Sequence, residues 1–293
     1  ARPYIASMSS RTVVYKGLLR AGDLDRFYLD LQDPDFATRF VLFHQRYSTN
    51  TTPTWERAQP FRLLGHNGEI NTLQGNVNGI AAREPWLAVP GWPELTPGAV
   101  APVIDPSGSD SAMLDNVLEL LVLAGRDARH ALMMLVPEAW EKVADLPPVL
   151  RDFYRFHACL TEPWDGPAAL VFSDGRWVGA RLDRNGLRPM RYTVLKSGIV
   201  VAASEVGVLD ADPADVDERG KLGPGQIIAV DLITGRFLRD EEVKAEVATR
   251  RPYGRWAEAI VTGPPATAGT AGSQEGSGRS EEHTSELQSL RHL

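Results

Sequence analysis

Apolar residues recur along the chain with two periods, about two and about 3.6, and the switches between them mark off three stretches. Residues 4–10 and 11–19 read as short strands, the second built on the β-branched and aromatic run Thr12-Val13-Val14-Tyr15. Residues 21–31 have helical or turn character, and residues 39–47 read as a buried strand from the run Phe40-Val41-Leu42-Phe43. A loop rich in Thr, Pro and Asn follows over 48–60, then a short strand over 61–65 that ends at Asn67-Gly68. Helical spacing takes over in Met113, Leu114, Val117, Leu120, Leu121 and Ala124, behind the cap candidates Ser109, Asp110 and Ser111. Residues 127–136 and 148–160 predict further helices. Period two then returns in three hairpins: 168–172 with 176–182 around Asp174-Gly175, 192–195 with 199–203 around Ser197-Gly198, and 226–230 with 236–238 around Thr234-Gly235. Strands, then helices, then strands predict α+β layers rather than a βαβ sheet.

Beyond about residue 260 the patterning stops. Residues 262–278 are mostly Gly, Ala, Ser, Thr and Pro, a composition that buries too little surface to offset ordering entropy. The stretch Arg279-Ser280-Glu281-Glu282-His283-Thr284-Ser285-Glu286-Leu287-Gln288-Ser289 resembles a translated sequencing-library adapter and is set aside as non-native. The expected organisation is one domain over 1–258 and a disordered tail over 259–293.

Composition narrows the class of function. The 293 residues are 43% hydrophobic and 24% charged, ordinary for a globular protein. A net charge of −7 without a basic cluster argues against a nucleic-acid partner. No apolar run approaches the roughly 20 residues that span a bilayer, and no signal-peptide pattern opens the chain, so no membrane partner is expected. The single cysteine, Cys159, rules out an intramolecular disulfide and any Cys-pair zinc site, and predicts a reducing, cytoplasmic setting. The sequence opens at Ala1 in a strand-like run and reads as a piece of a longer polypeptide.

Phosphate-loop, dinucleotide-binding, zincin and nucleophile-elbow motifs are all absent. His157 and Cys159 are too few for a metal site, and Cys159 is expected to be a buried helix thiol. Three other positions carry chemistry. Asn67-Gly68 suits a plain turn, but an Asn side-chain N–H beside a Gly backbone N–H also suits an oxyanion hole. Arg46 reads as an exposed charge or as a planar fork for a carboxylate. Asp110 reads as a helix cap or as an acceptor for an ammonium group. Together the functional readings describe a free amino acid as ligand.

Five ordered segments then carry a resemblance. Phe43-His44-Gln45-Arg46-Tyr47-Ser48-Thr49-Asn50, Ala58-Gln59-Pro60-Phe61, Gly65-His66-Asn67-Gly68-Glu69-Ile70-Asn71-Thr72, Gly108-Ser109-Asp110-Ser111 and Asp183-Arg184-Asn185-Gly186-Leu187-Arg188-Pro189 resemble successive motifs of the glutamate synthase amidotransferase domain. The likeness spans roughly residues 1–258, with Arg251-Pro252-Tyr253 similar to its closing segment. It implies an N-terminal-nucleophile hydrolase fold, two antiparallel sheets between helical layers, of which this chain holds part. It implies that Arg46 binds the glutamine carboxylate, Asp110 its amino group, and that Asn67 and Gly68 form the oxyanion hole. An N-terminal Cys would attack the side-chain amide. That Cys is not in this sequence and is expected upstream of Ala1. Ammonia would pass to synthase domains of the same polypeptide carrying FMN and an iron–sulfur cluster, served by a small reductase subunit or ferredoxin. Two other readings compete: a stand-alone amino-acid-binding module, and a hydrolase using Cys159.

Overall fold

In a computed structural model, residues 4–46 and 52–262 are described. Tyr47, the greater part of the 48–60 loop's opening and the tail beyond 262 lie outside them, and with them the expectation of disorder. Two antiparallel sheets form the centre. The larger contains β1 (Leu64–Gly68), β2 (Ala168–Ser173), β3 (Trp177–Leu182), β7 (Ile227–Asp231) and β8 (Phe237–Leu238), in that spatial order. The smaller orders β5 (Val200–Ala203), β4 (Arg191–Leu195) and β6 (Val216–Lys221).

Period two decides which layer each strand residue enters. On one face of the larger sheet, Leu64, Leu170, Phe172 and Ile227 join a core built with the helices α2 (Leu73–Arg83), α3 (Asp110–Leu123), α4 (Ala128–Leu135), α5 (Pro148–Ala158), α6 (Asp240–Ala248) and α7 (Tyr253–Thr262). On the other face, Ala169, Ala180, Leu182 and Ile228 pack with Met190, Leu222 and Tyr192 of the smaller sheet's side. The result is α+β, helices on sheet on sheet, with the antiparallel strands that the sequence predicts. The three hairpins form where expected, with Gly175, Gly198 and Gly235 at positive φ in their turns. The helices predicted from 113, 127 and 148 also form.

Several expectations fail. Residues 4–19 and 39–46 are not in strands, although the only helix among the neighbouring residues is the short α1 (Leu24–Phe27) with its flanking 3-10 turns. Val41 and Phe43 are 71% and 63% exposed, so the predicted buried strand at 39–47 is neither buried nor laddered over its described part. Strand-forming residues need partner groups, and those of His66 on the edge beside them are taken by the Gln59 side chain. The strand predicted at 61–65 lies three residues later, as β1. Four elements escaped prediction. β6 is Val-Asp-Glu-Arg-Gly-Lys, with no apolar alternation, and it pairs because β4 offers an edge. α2 contains two Gly and two Asn among its 11 residues, a weak helix sequence. α6 falls in a stretch with no predicted element, and α7 begins at the segment that resembles the domain's close. Cys159, expected to be buried, is exposed at the C-cap of α5, whose inward side carries Leu150, Phe153, Tyr154, Phe156 and His157.

The helical core encloses a pair of imidazoles. His157 Nδ1 lies 2.7 Å from the Phe153 carbonyl, which only accepts, so Nδ1 holds the proton and Nε2 is bare. His130 then donates from its Nε2 to that bare Nε2 at 2.8 Å. Burial pushes His157 down to about 3 and His130 well below the ordinary imidazole range, where His157, Arg126 and Arg250 push the same way. Asp127 beside them is held at about 2, because hydrogen bonds and charge from Arg250 and Arg129 outweigh its burial.

The folded pair refuses protons that the unfolded chain accepts at about 6.5. Its stabilisation is therefore complete above that pH and is lost as pH falls toward 3, by roughly 1.4 kcal/mol per pH unit per proton. Asp127 adds a second loss only as pH falls from 3.8 toward 2. In urea unfolding at a series of pH values, stability should be level near pH 7 and fall steeply below 6. His157→Leu should cost about 1–3 kcal/mol at pH 7 by orphaning a buried N–H, yet flatten the slope between pH 6 and 4. Parallel slopes in the two proteins would contradict this account.

Candidate functional site

The end of β1 gathers the predicted residues. β1 pairs β2 with Asn67 opposite Ala169 and Gly68 opposite Ala168. Asn67-Gly68 is therefore strand, and the plain-turn reading fails. By the same register, His66 faces the helices opposite Leu170, whereas Asn67 faces the inter-sheet layer opposite Ala169. The strand thus sends adjacent side chains to opposite sides.

Hydrogen bonding alternates too. Glu69 N donates to the Pro167 carbonyl at 2.9 Å, so that pair is bonded and the next, Gly68–Ala168, is not. Ala168 instead exchanges both polar groups with Asp183, donating to its carboxylate at 2.8 Å and accepting its N–H at 2.9 Å. The Gly68 N–H consequently turns away from β2, to the edge of β1 that no strand among the described residues pairs. At His66 the same edge is closed by a side chain: Gln59 Oε1 accepts from His66 N at 2.6 Å and Gln59 Nε2 donates to His66 O at 3.0 Å. A side-chain amide thus stands in for a neighbouring strand at that residue. This is why residues 39–46 form no ladder there.

They run alongside nonetheless. Leu42 lies against Gly65, and the His44 ring meets the backbones of His66 and Arg46. Arg46 follows in the direction of Gly68; it is exposed, and no hydrogen bond or ion pair joins it to Asn67, Gly68 or Asp110. Arg188 lies close enough to His66 to disfavour its charge.

Asp110 is brought in from α3. It is not the cap: Ser109 accepts from Ala112 N at 3.2 Å in that role. Asp110 Oδ2 accepts from Ile70 N at 2.8 Å, two residues past Gly68, and Oδ1 from Ser111 N at 2.7 Å. The structure therefore brings Asp110 to the chain two residues past Gly68, through its bond from Ile70 N, and Arg46 only by proximity of its chain segment.

Further supports lie around them, one of them in the Asp183–Pro189 segment of the resemblance. Asp183, completely buried, accepts from Asn185 N and Gly186 N as well as from Ala168, a turn hub whose signal is the Asp-x-Asn-Gly sequence itself. Asp165 fastens the next stretch, its carbonyl accepting from Asn71 N at 2.7 Å while Thr72 Oγ1 accepts from Asp165 N at 2.9 Å. At Gly68, with φ +154°, a Cβ would run into the Pro167 carbonyl; at Gly166, with φ +152°, one would run into that of Glu69. Cys159 is remote in contact, its thiol facing only the Arg155 carbonyl at 3.4 Å, so nothing links it to this site. No group of three metal-ligating side chains occurs among the described residues.

The sequence model of the class-II glutamine amidotransferases matches residues 1–256. The chain belongs to that family. Within it, the chain is 51% identical over 255 residues to a ferredoxin-dependent glutamate synthase 2 of Synechocystis, covering 86% of this chain and 16% of that protein. It is 52% identical over 256 residues to a chloroplastic ferredoxin-dependent glutamate synthase of Oryza sativa, with the same coverage. Against the NADPH glutamate synthase large chain of Bacillus subtilis it is 49% identical over 255 residues, covering 87% and 17%. The chain thus spans about a sixth of the length of these relatives. A solved glutamine phosphoribosylpyrophosphate amidotransferase from B. subtilis is a looser likeness, at TM-score 0.37 and 18% identity over 64% of this chain and 32% of that one.

The backbone approach at Gly68 yields a direct test. Gly68→Ala should destabilise by about 3 kcal/mol or more, through strain and overpacking against Pro167. Gly75→Ala, in α2 with open space around it, should be neutral or stabilising by up to about 1 kcal/mol. Urea midpoints measure both. Similar midpoints for the two variants would mean that Gly68 is not under the constraint described.

Proposed function

We propose that this chain is the glutamine-binding part of a glutaminase domain, residues 1–258, in a glutamate synthase. The observation that carries the reading is the Gly68 N–H turned away from β2, next to Asn67 and two residues from the Asp110 contact. Attack on the glutamine amide carbon moves charge onto the amide oxygen. Asn67 Nδ2 and Gly68 N–H are the donors for that oxygen, Asp110 receives the α-ammonium, and Arg46 clamps the α-carboxylate. The nucleophile is a Cys on a segment not in this sequence, since an internal Cys159 has no free α-amine to serve as its base.

Ammonia released here serves reductive transfer to 2-oxoglutarate in other domains of the polypeptide. FMN and an iron–sulfur cluster belong there: with one cysteine in 293 residues, this chain cannot supply the thiolates of a cluster. Relatives named for ferredoxin and for NADPH support either ferredoxin or a small reductase subunit as electron source. A cytoplasmic setting fits the lone cysteine, and no helix among the described residues is long and apolar enough to cross a membrane.

The test uses the intact enzyme carrying this segment. Asn67→Ala should lower glutamine-dependent kcat by on the order of 10²–10³ with little change in KM, because its donor acts mainly in the transition state. Arg46→Ala should chiefly raise KM. Synthesis from added ammonia should survive both changes. A glutamine-dependent kcat within about threefold of wild type for Asn67→Ala would remove Asn67 from the oxyanion hole.

A further inference from the structure

Arg57 is a half-buried cation that the roles above do not use. Among the described residues its guanidinium meets no carboxylate and goes instead to two backbone carbonyls. One of its terminal nitrogens, Nη1, donates to the Thr52 carbonyl at 3.2 Å, and the other, Nη2, to the Ser107 carbonyl at 2.8 Å. The two carbonyls belong to the two arms of the site. Thr52 lies on the chain that continues from Arg46, and Ser107 lies in the turn that leads into Asp110.

Both arms are firm where Arg57 meets them. Lys16, 4% exposed, donates from Nζ to the Glu56 carbonyl at 2.7 Å and so holds the turn Trp55–Arg57 from beneath. The Trp55 ring meets Tyr4 edge-on, with centroids 5.2 Å apart. On the other arm Asp105 Oδ1 accepts from Ser107 N at 2.9 Å and from Ser107 Oγ at 2.7 Å. Asp105 N in turn donates to Asn116 Oδ1 of α3 at 3.0 Å. A planar guanidinium between two firm backbones is a spacer, which resists approach as well as separation. The Ile70 bond and the His44 contact tie each arm to a different point of β1, whereas Arg57 ties arm to arm.

An α-amino acid carries its ammonium and its carboxylate on one carbon, so holding both at once demands a set gap between their partners. At the right gap the second contact forms at high effective concentration. At the wrong gap that gain is lost, although each contact by itself is intact. We propose that Arg57 is a positioning residue that sets the gap between the Arg46 and Asp110 arms, so that both ends of the amino acid are bound together. It touches neither ligand nor reacting atoms. The inference rests on the glutamine reading above and adds to it the residue that couples the two ends.

The test uses the intact enzyme carrying this segment, as wild type, Arg57→Ala and Arg57→Lys. The KM for L-glutamine is measured beside the inhibition constants of two partial analogues, 4-carbamoylbutanoate without the α-amine and 4-aminobutanamide without the α-carboxylate. Arg57→Ala should raise the KM for L-glutamine roughly tenfold or more, because simultaneous engagement is lost. Its kcat should stay within about threefold, and each analogue, which uses one arm, should bind within about twofold of wild type. Arg57→Lys, whose single ammonium lacks the fork, should fall between. Synthesis from added ammonia should be unchanged in both. An unchanged KM, equal weakening toward L-glutamine and both analogues, or loss of ammonia-dependent synthesis overturns the positioning role. A wild type that holds L-glutamine no tighter than the analogues overturns the two-ended glutamine site itself, and the role of Arg57 with it. A wild type that discriminates while Arg57→Ala discriminates equally well overturns the role of Arg57 alone.

Discussion

At the mouth of the β1–β2 pair two backbones touch without side chains between them. Gly68 lies under the carbonyl of Pro167, and Gly166 lies under that of Glu69. Neither position has room for a Cβ, and both have the positive φ that glycine adopts without penalty. This reciprocal contact fixes where β1 ends and how Ile70 and Asn71 leave it. From there Ile70 reaches Asp110 and Asn71 reaches Asp165, so an error at either glycine would move both anchors at once. Asp183 extends the constraint by taking both polar groups of Ala168, the residue facing Gly68.

One consequence is a division of labour along a single strand. Because successive residues face opposite layers, His66 can be built into the helical side, through Ser111, while Asn67 stands in the layer between the sheets. The alternation of ladder bonds supplies the rest. Outward-facing groups recur at His66 and Gly68; Gln59 consumes those of His66, and Gly68 is left with its N–H at the edge. Had residues 39–46 paired with β1 as a strand, they would have taken that N–H as well. Their lack of a ladder, which contradicts the apolar run Phe40-Val41-Leu42-Phe43, is what leaves that edge unpaired among the described residues.

Much of the fold was legible because it rests on local signals. Asp174-Gly175, Ser197-Gly198 and Thr234-Gly235 set hairpins by turn chemistry, and Met113 through Leu121 set a helix by spacing. What failed depended on partners distant in sequence. β6 is too polar to read as a strand and exists by pairing with β4; Gly220 within it makes room for the Tyr192 ring. The site divides in the same way. Asn67, Gly68, Arg46 and Asp110 could be named from residue type and motif order, but residue type allowed a turn and a cap that only the register and Ser109 exclude. The Asp183 turn is legible in Asp183-Arg184-Asn185-Gly186, but its hold on Ala168, and that of Gln59 on His66, reach 15 and 7 residues along the chain, which no local pattern announces.

A donor supplied by a strand edge differs from one supplied by a flexible side chain. A buried unpaired N–H would cost stability, but Gly68 is only half-buried, so water can satisfy it when no ligand is present. Its direction is already set by the ladder to either side and by the Pro167 contact, so no rotation is needed when charge develops nearby. Asn67 lacks that guarantee, because its amide hangs from a rotatable side chain over the inter-sheet layer. In the pair proposed for the oxyanion, the backbone donor is thus the rigid reference. The glycine that permits it is required by the close carbonyl and, in the role proposed for it, by the approach of the substrate oxygen as well.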